Sequence, residues 1–127
     1  MPAYDRNYNP PAPVAQVTVA HLVTGAISAS LRGKLDTGAD LTVIPQSLVL
    51  PLGLSPHRQV WARSYDGTHA QRSVYYVHLV IEGNELPGVR CVATERETVL
   101  VGRNVLNRFL ITLDGKNLRF DLQLAER

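Results

Sequence analysis

One aspartate in the first half of the chain has surroundings suited to acid–base chemistry. Asp36 lies in the stretch Leu-Asp-Thr-Gly-Ala-Asp-Leu-Thr-Val-Ile, residues 35–44, in a small-residue turn between two apolar runs. Thr37 can bond its hydroxyl to nearby backbone, and Gly38 permits a close approach that a side chain would block. The same residue types also end strands in many proteins without any catalysis. Asp-Thr-Gly alone therefore favours an ordinary turn, and its interpretation depends on the rest of the chain.

Short strands separated by turns must position this aspartate. Alternating apolar residues bounded by turn residues predict strands at 16–22, 28–35, 41–44, 59–63, 72–82, 86–94, 98–101, 110–113 and 118–122. Residues 46–54 contain too many helix breakers for more than a turn or two of helix. Residues 104–109 fit a short helix with Val105 and Leu106 toward the core. Many short strands and almost no helix predict an all-β barrel or sandwich.

Length and composition favour one globular domain preceded by a short arm. The chain has 127 residues, of which 45% are hydrophobic and 19% are charged. Pro10, Pro11 and Pro13 favour extended backbone, so we predict a flexible Pro-rich arm at 1–13 and a domain at 14–127. The single cysteine, Cys91, lies in an apolar run and is expected to be buried. Trp61 and Tyr75 are expected to be packing residues.

Charge and hydropathy disfavour several classes of function. The net charge is only +2 and the basic residues are scattered, which argues against a nucleic-acid partner. No apolar run approaches the roughly 20 residues that span a bilayer, and the N-terminus resembles no secretory signal, so we expect a cytoplasmic protein without a membrane partner. The serines lack a nucleophile-elbow context. We expect no metal and no cofactor, because the four histidines lack the spacing of metal ligands: His21, His57, His69 and His78.

Two segments resemble the signatures of one enzyme family. Residues 35–44 resemble the active-site loop of retropepsin-type (clan AA) aspartic proteases. Residues 99–106, Val-Leu-Val-Gly-Arg-Asn-Val-Leu, resemble their second signature, in which apolar residues precede Gly-Arg-Asp/Asn and a short helix. The order and separation of the motifs match that family over roughly residues 15–122. The hairpin after the helix and the step Trp61-Ala62 look closer to the cellular DNA-damage-inducible-type proteases and bacterial relatives than to the viral enzymes.

The resemblance implies a closed acid-protease barrel with one short C-terminal helix, and the activity of an aspartic endopeptidase. It makes Asp36 the catalytic carboxylate. Thr37 would bond across to its counterpart in a second subunit and, with Gly38, support the active-site loop. Ala39 and Asp40 would present backbone and side-chain groups to the substrate.

The resemblance also implies two features outside the loop. Asp40 would form an internal ion pair with Arg103, which without the family match would be interpreted as a solvated surface arginine. The hairpin between the two motifs falls where the family has its flap, although its tip has only one glycine. The tip residues expected to contact substrate are Tyr65, Asp66, Gly67 and Thr68.

The chain has no second Asp-Thr-Gly or Asp-Ser-Gly, so the resemblance implies the single-motif, homodimeric type. Hydrolysis by this route needs one carboxyl group to activate water as a base and another to protonate the carbonyl oxygen. Two Asp36 side chains across a two-fold axis would supply both. Residues 118–124 are a better interface candidate than the Pro-rich arm. The alternative is a dimeric peptide-binding or assembly module of the same fold with little catalysis; a nucleic-acid-binding barrel is disfavoured.

Overall fold

The computed structural model of the chain describes residues 1–63, 67 and 69–124. Runs rich in Val, Ile, Leu and Tyr form strands there, because branched and aromatic side chains pack well on a pleated surface. In chain order the elements are β1 (Val14–Ala20), β2 (Leu31–Leu35), β3 (Thr42–Pro45), a 3-10 turn (Gln46–Leu48), α1 (Val49–Leu52), β4 (Arg58–Arg63), β5 (His69–Ile81), β6 (Asn84–Thr94), β7 (Val99–Val101), α2 (Arg103–Leu106), β8 (Phe109–Asp114) and β9 (Arg119–Leu124). The prediction of an all-β chain is confirmed.

Six strands close into a barrel. Their order is β1-β2-β7-β3-β6-β5, and the ring closes because β1 pairs with both β2 and β5. The pairs β2–β7 and β3–β6 are parallel. β4 lies outside the ring as the antiparallel partner of β5, and β8 and β9 form a separate antiparallel hairpin. The closed barrel is the architecture that the family resemblance implied.

The short helix near the second motif is also confirmed, with different bounds. α2 spans Arg103–Leu106 and not 104–109, because Phe109 already pairs with Leu124 as the first residue of β8. It precedes the β8–β9 hairpin and so does not end the chain. The breaker-rich segment 46–54 forms only the 3-10 turn and α1, as predicted.

A single apolar core fills the barrel and holds the elements after it. Alternate residues of β5 face this core, and Tyr75 and Val77 among them are 4% and 0% exposed. Val105 of α2 and Phe120 of β9 are fully buried in the same cluster. Burying one such side chain is worth about 1.5–3 kcal/mol. The helix and the last hairpin are therefore attached to the barrel by apolar burial.

The expectation for the two aromatic residues holds for one of them. Tyr75 is buried in the core, whereas the side chain of Trp61 is 68% exposed, so its prediction as a packing residue is wrong. Trp61 belongs to β4, and β4 pairs with β5 outside the closed ring. Its side chain therefore lies beyond the apolar core.

The N-terminal segment contacts the β8–β9 hairpin at its start and the barrel at its end. Tyr4 donates its backbone N–H to the carbonyl of Leu118 at 2.8 Å, and its ring lies 6.3 Å from that of Phe120. At the other end of the segment, the carbonyl of Pro13 accepts the N–H of Leu35 at 3.1 Å. The division into a flexible arm at 1–13 and a domain at 14–127 stays a prediction. In the part of the chain that is described, neither helix has the length or apolar character to cross a membrane.

Cys91 provides a test of the packed core. Its side chain is fully buried in β6, and burial raises the pKa of the thiol from 9.0 to about 12, because a thiolate is poorly solvated there. The thiolate is the reactive form, so at pH 8 we expect a disulfide reagent to label the native chain at least about 100-fold more slowly than the urea-unfolded chain. Equal labelling rates in the two states would contradict the packing described here.

Candidate active site

The loop that carries Asp36 connects two strands that are not neighbours. β2 ends at Leu35 and β3 begins at Thr42, and β7 lies between these two strands in the barrel. Residues 36–41 must therefore cross the end of β7, where the chain leaves that strand and enters α2. This crossing brings the two sequence motifs into direct contact.

The carboxylate of Asp36 is held by the backbone of its own loop. Its Oδ1 accepts the N–H of Gly38 at 2.9 Å, and its own N–H donates to the carbonyl of Val101 at 3.0 Å. A Cβ atom at position 38 would lie 3.2 Å from the same oxygen, which is a tight contact. The side chain of Asp36 is half-buried. The loop therefore presents one carboxyl group in a fixed orientation at its surface.

The start of α2 satisfies the carbonyl groups of the loop. Arg103 donates its backbone N–H to the carbonyl of Ala39 at 2.8 Å and its Nη1 to the carbonyl of Thr37 at 2.7 Å. Asn104 donates its backbone N–H to the carbonyl of Asp40 at 3.3 Å. These three bonds fix three carbonyl groups of the loop against a helix whose next residues are buried in the core.

Gly102 allows the two backbones to meet. A Cβ atom at this position would lie 2.5 Å from the carbonyl carbon of Leu41 and 2.8 Å from the backbone nitrogen of Thr42. Backbone atoms cannot move aside as the end of a flexible side chain can, so no larger residue fits without displacing the loop. The loop of the first motif can therefore pack against the second motif only if residue 102 is glycine.

A buried polar pair ties the loop to β6 as well. Thr42 is fully buried, and its N–H and hydroxyl both donate to Oδ1 of Asn104 at 3.0 Å. The hydroxyl also accepts the N–H of Gly102 at 3.1 Å, and Nδ2 of Asn104 donates to the carbonyl of Arg90 at 2.7 Å. Thr42 was not singled out from the sequence. Its signal was a polar residue two positions before Ile44, where the strand pattern requires a core residue.

The ion pair between Arg103 and Asp40 is present, with Nη2 in contact with Oδ1. The two side chains are 46% and 84% exposed, and such exposed pairs contribute only about 0–1 kcal/mol. The bond from Arg103 to the carbonyl of Thr37 and the backbone bonds are the stronger constraints on the loop. The ion pair of Asp40 therefore contributes less to the conformation of the loop than these hydrogen bonds do.

The remaining predicted site residues are distributed as follows. Thr37 and Gly38 are exposed and Ala39 is half-buried, all within the loop. β4 and β5 form the predicted hairpin, with Arg63 opposite His69 as the last described pair. Gly67 is exposed and has a φ of 82°, which glycine adopts readily. The other three tip residues lie outside the described residues: Tyr65, Asp66 and Thr68.

Three histidines have local contacts. Nδ1 of His21 accepts two backbone N–H groups at 3.0 and 3.1 Å, and the ring of His57 lies edge-on to Tyr76 at 5.1 Å. Nε2 of His78 lies 3.3 Å from Oε1 of Glu85. Across residues 1–63, 67 and 69–124, no three His, Cys, Asp or Glu side chains are grouped so that they could hold a metal ion.

Comparison with known sequences identifies the family. Residues 28–108, which are more than half of the chain and include both motifs, match the sequence profile described as "gag-polyprotein putative aspartyl protease". The chain therefore belongs to this family of retropepsin-like aspartic proteases. Comparison with curated protein sequences gives no significant match.

Solved structures share the fold at low sequence identity. The retropepsin-like aspartic protease from Rickettsia conorii matches with a TM-score of 0.58 and 18% identity, over 98% of this chain and 98% of that chain. The Simian Foamy Virus (mac) protease gives 0.55 and 17%, over 74% and 91%. The retroviral protease-like domain of Ddi1 from Leishmania major gives 0.52 and 10%, over 89% and 94%.

Asn104 offers the sharpest test of how the loop is held. In Asn104→Ala, both donors of Thr42 and the carbonyl of Arg90 lose their partner, and an unsatisfied buried polar group costs about 1–3 kcal/mol. We expect the free energy of unfolding, measured with urea, to fall by about 2–3 kcal/mol.

The matched control is Asn107→Ala, at the exposed end of the same helix. This variant should change the free energy of unfolding by less than about 0.5 kcal/mol. Equal effects of the two substitutions would show that the Thr42–Asn104 contact does not hold the loop.

Proposed function

We propose that the chain is an aspartic endopeptidase that works as a homodimer, with one Asp36 from each subunit in a shared active site. The observation that carries this proposal is the Asp36 carboxylate, oriented by the Gly38 N–H in a loop that rests on α2, within a retropepsin-like barrel. Family membership supports protease chemistry, and the fixed orientation of the carboxylate supports Asp36 as the residue that would perform it.

The chemistry follows from two adjacent carboxyl groups, one ionised and one protonated. The ionised group takes a proton from a water molecule while that water attacks the scissile carbonyl carbon, and the protonated group donates to the carbonyl oxygen. The tetrahedral intermediate then collapses: the first group gives its new proton to the amide nitrogen, the second takes a proton from a hydroxyl of the intermediate, and the C–N bond breaks to release the amine. Both carboxyl groups return to their starting states, so no cofactor is consumed.

A second subunit would supply the second group, because the chain contains only one Asp-Thr-Gly sequence. The other carboxylate of the loop, on Asp40, is engaged by Arg103 and is 84% exposed. Two Asp36 side chains brought together by a two-fold axis would share one proton, because adjacent like charges resist simultaneous ionisation. The symmetric pair thus provides the acid and the base in one site.

The β8–β9 hairpin supports the proposed dimer. It is a two-stranded sheet apart from the barrel sheet, and Phe120 attaches one face of it to the apolar core. Leu110, Leu113 and Leu124 are 63%, 56% and 40% exposed on it. These side chains include residue 124 of the segment 118–124 that the sequence favoured as interface. Leu113 and Leu124 lie on one face of the hairpin and Leu110 on the other, so a second copy packed against either face would cover part of this apolar surface.

The β4–β5 hairpin is the proposed flap. β4 pairs only with β5 in the described sheet and lies outside the ring, so the hairpin projects from the barrel. A projecting hairpin can close over an extended peptide and exclude bulk water from the carboxyl pair. The substrate on this account is a peptide or a protein segment in extended conformation.

Replacing Asp36 by Asn tests the proposed chemistry. The amide oxygen can still accept the Gly38 N–H, so the fold should be kept, but the amide cannot act as base or acid. We expect cleavage of a mixed peptide library, followed by mass spectrometry across acidic and neutral pH, to fall by at least about 1,000-fold.

Glu97→Gln is the control, because it makes the same carboxyl-to-amide change at an exposed position. It should cleave like the unaltered chain. A pure, folded Asp36→Asn protein with full activity would refute the assignment. Absence of cleavage by the unaltered chain, despite dimers and peptide binding, would indicate a peptide-binding module of the same fold.

A further inference from the structure

The turn that follows β1 is built around one imidazole. Nδ1 of His21 accepts the backbone N–H of Val23 at 3.0 Å and that of Thr24 at 3.1 Å. The backbone of His21 closes the turn, because its N–H donates to the carbonyl of Ala26 at 2.8 Å and its carbonyl accepts the N–H of Gly25 at 3.2 Å. We call residues 21–26 the His21 turn. One ring nitrogen therefore satisfies two of its backbone N–H groups.

Both of these side-chain bonds require a neutral ring. A ring nitrogen accepts a hydrogen bond only through its lone pair, and in the protonated imidazole both nitrogens carry a hydrogen. Protonation of His21 would therefore point a hydrogen at the N–H groups of Val23 and Thr24 in place of a lone pair. Histidine is the side chain that ordinarily changes charge between pH 5 and pH 8. Mild acid thus removes the acceptor around which the turn is built.

The surroundings of His21 offer no compensation for its positive charge. Residues 14–31 contain no Asp, Glu, Lys or Arg. By strand register, the charge-bearing groups closest to the turn are His78 of β5, whose Nε2 lies 3.3 Å from Oε1 of Glu85, and Arg32 of β2. Among the described residues no carboxylate forms an ion pair with His21. Nothing described there offsets the loss of the two hydrogen bonds.

The strands below the turn are held by bonds that do not titrate. Ser28 donates its backbone N–H to the carbonyl of Val19 at 2.8 Å, and its hydroxyl accepts the N–H of Val19 at 2.9 Å. Val19 is fully buried in the apolar core. In the turn itself, Leu22 and Val23 are 46% and 88% exposed, so apolar burial contributes little there. Loss of the His21 bonds therefore releases the turn and stops at Ser28.

We propose that His21 is a pH-sensitive switch for the first hairpin of the barrel. The neutral ring holds the His21 turn closed, and protonation opens it while the barrel stays folded. Because only the neutral ring accepts the two N–H groups, their stabilisation is complete at high pH and is lost as the pH falls. The inference concerns a conformational change of this hairpin and goes beyond the proposed protease function, on which it does not rest.

Nuclear magnetic resonance of the ¹⁵N-labelled chain tests the switch. At pH 8 the His21 ring should be the tautomer with hydrogen on Nε2. Between pH 8 and pH 5, the amide signals of Val23 and Thr24 should shift together with the ring signals. Their protection against hydrogen exchange, corrected for the intrinsic effect of pH, should fall about tenfold. The amides of Val19 and Ser28 should keep their protection.

Three substitutions assign the response. In His21→Asn, the side-chain oxygen accepts the N–H two residues on and does not titrate, so the amide of Val23 should stay protected at both pH values. In His21→Ala, the acceptor is absent, so the turn should be open at both. His78→Gln removes the closest other imidazole, and the pH response of the turn should remain.

Four results would overturn the proposal. The first is a His21 ring with hydrogen on Nδ1 at pH 8, and the second is a pH response that persists in His21→Asn. The third is a response that disappears in His78→Gln, which would assign it to that residue. The fourth is equal loss of protection at Val19 and Ser28, which would mean that acid unfolds the whole hairpin. None of these readouts uses peptide cleavage, so failure of the protease proposal would leave this test unchanged.

Discussion

The close approach of the Asp36 loop to the start of α2 is the constraint on which the site depends. The loop joins two strands separated by β7, so it must cross the end of β7 where Gly102 and Arg103 follow. The crossing is possible only because a Cβ atom is missing at position 102, where it would meet the Leu41 carbonyl carbon at 2.5 Å. Once the backbones are this close, the N–H groups of α2 donate to the loop carbonyls. These bonds attach the Asp36 loop to the barrel and so fix the position of the Asp36 side chain.

The contributions to this contact differ in strength. The ion pair between Asp40 and Arg103 is exposed and weak, whereas the contact of fully buried Thr42 with half-buried Asn104 leaves several groups unsatisfied if it is broken. The same rigid loop also limits how many carboxyl groups one chain can bring to the reaction. Of its two carboxyl groups, that of Asp40 is paired with Arg103, and hydrolysis by water activation needs a second group beside Asp36, which a second subunit supplies in our proposal.

Local patterns in the sequence predicted the individual strands and the helix, but not which distant strands pair with each other. The strands, the hairpin turns and the short α2 follow from alternation and turn residues, which act over a few positions. The pairing of β1 with β5 and the insertion of β7 between β2 and β3 join distant segments, and family resemblance, not periodicity, implied the closed barrel. Thr42 was missed because its partner lies 62 positions away. Trp61 was predicted to pack because hydrophobicity does not reveal that β4 lies outside the ring.

Subunit mixing tests the central claim, a shared site built from two copies of Asp36, most directly. The unaltered chain, held at fixed concentration, is mixed with increasing Asp36→Asn protein under conditions of subunit exchange, and the cleavage rate is measured. A shared site predicts that an equal amount of the variant lowers the rate to about one half, and a tenfold excess lowers it to about one eleventh, because mixed dimers hold only one Asp36. A rate that stays constant at every ratio would mean that one chain carries a complete active site, and would contradict the account.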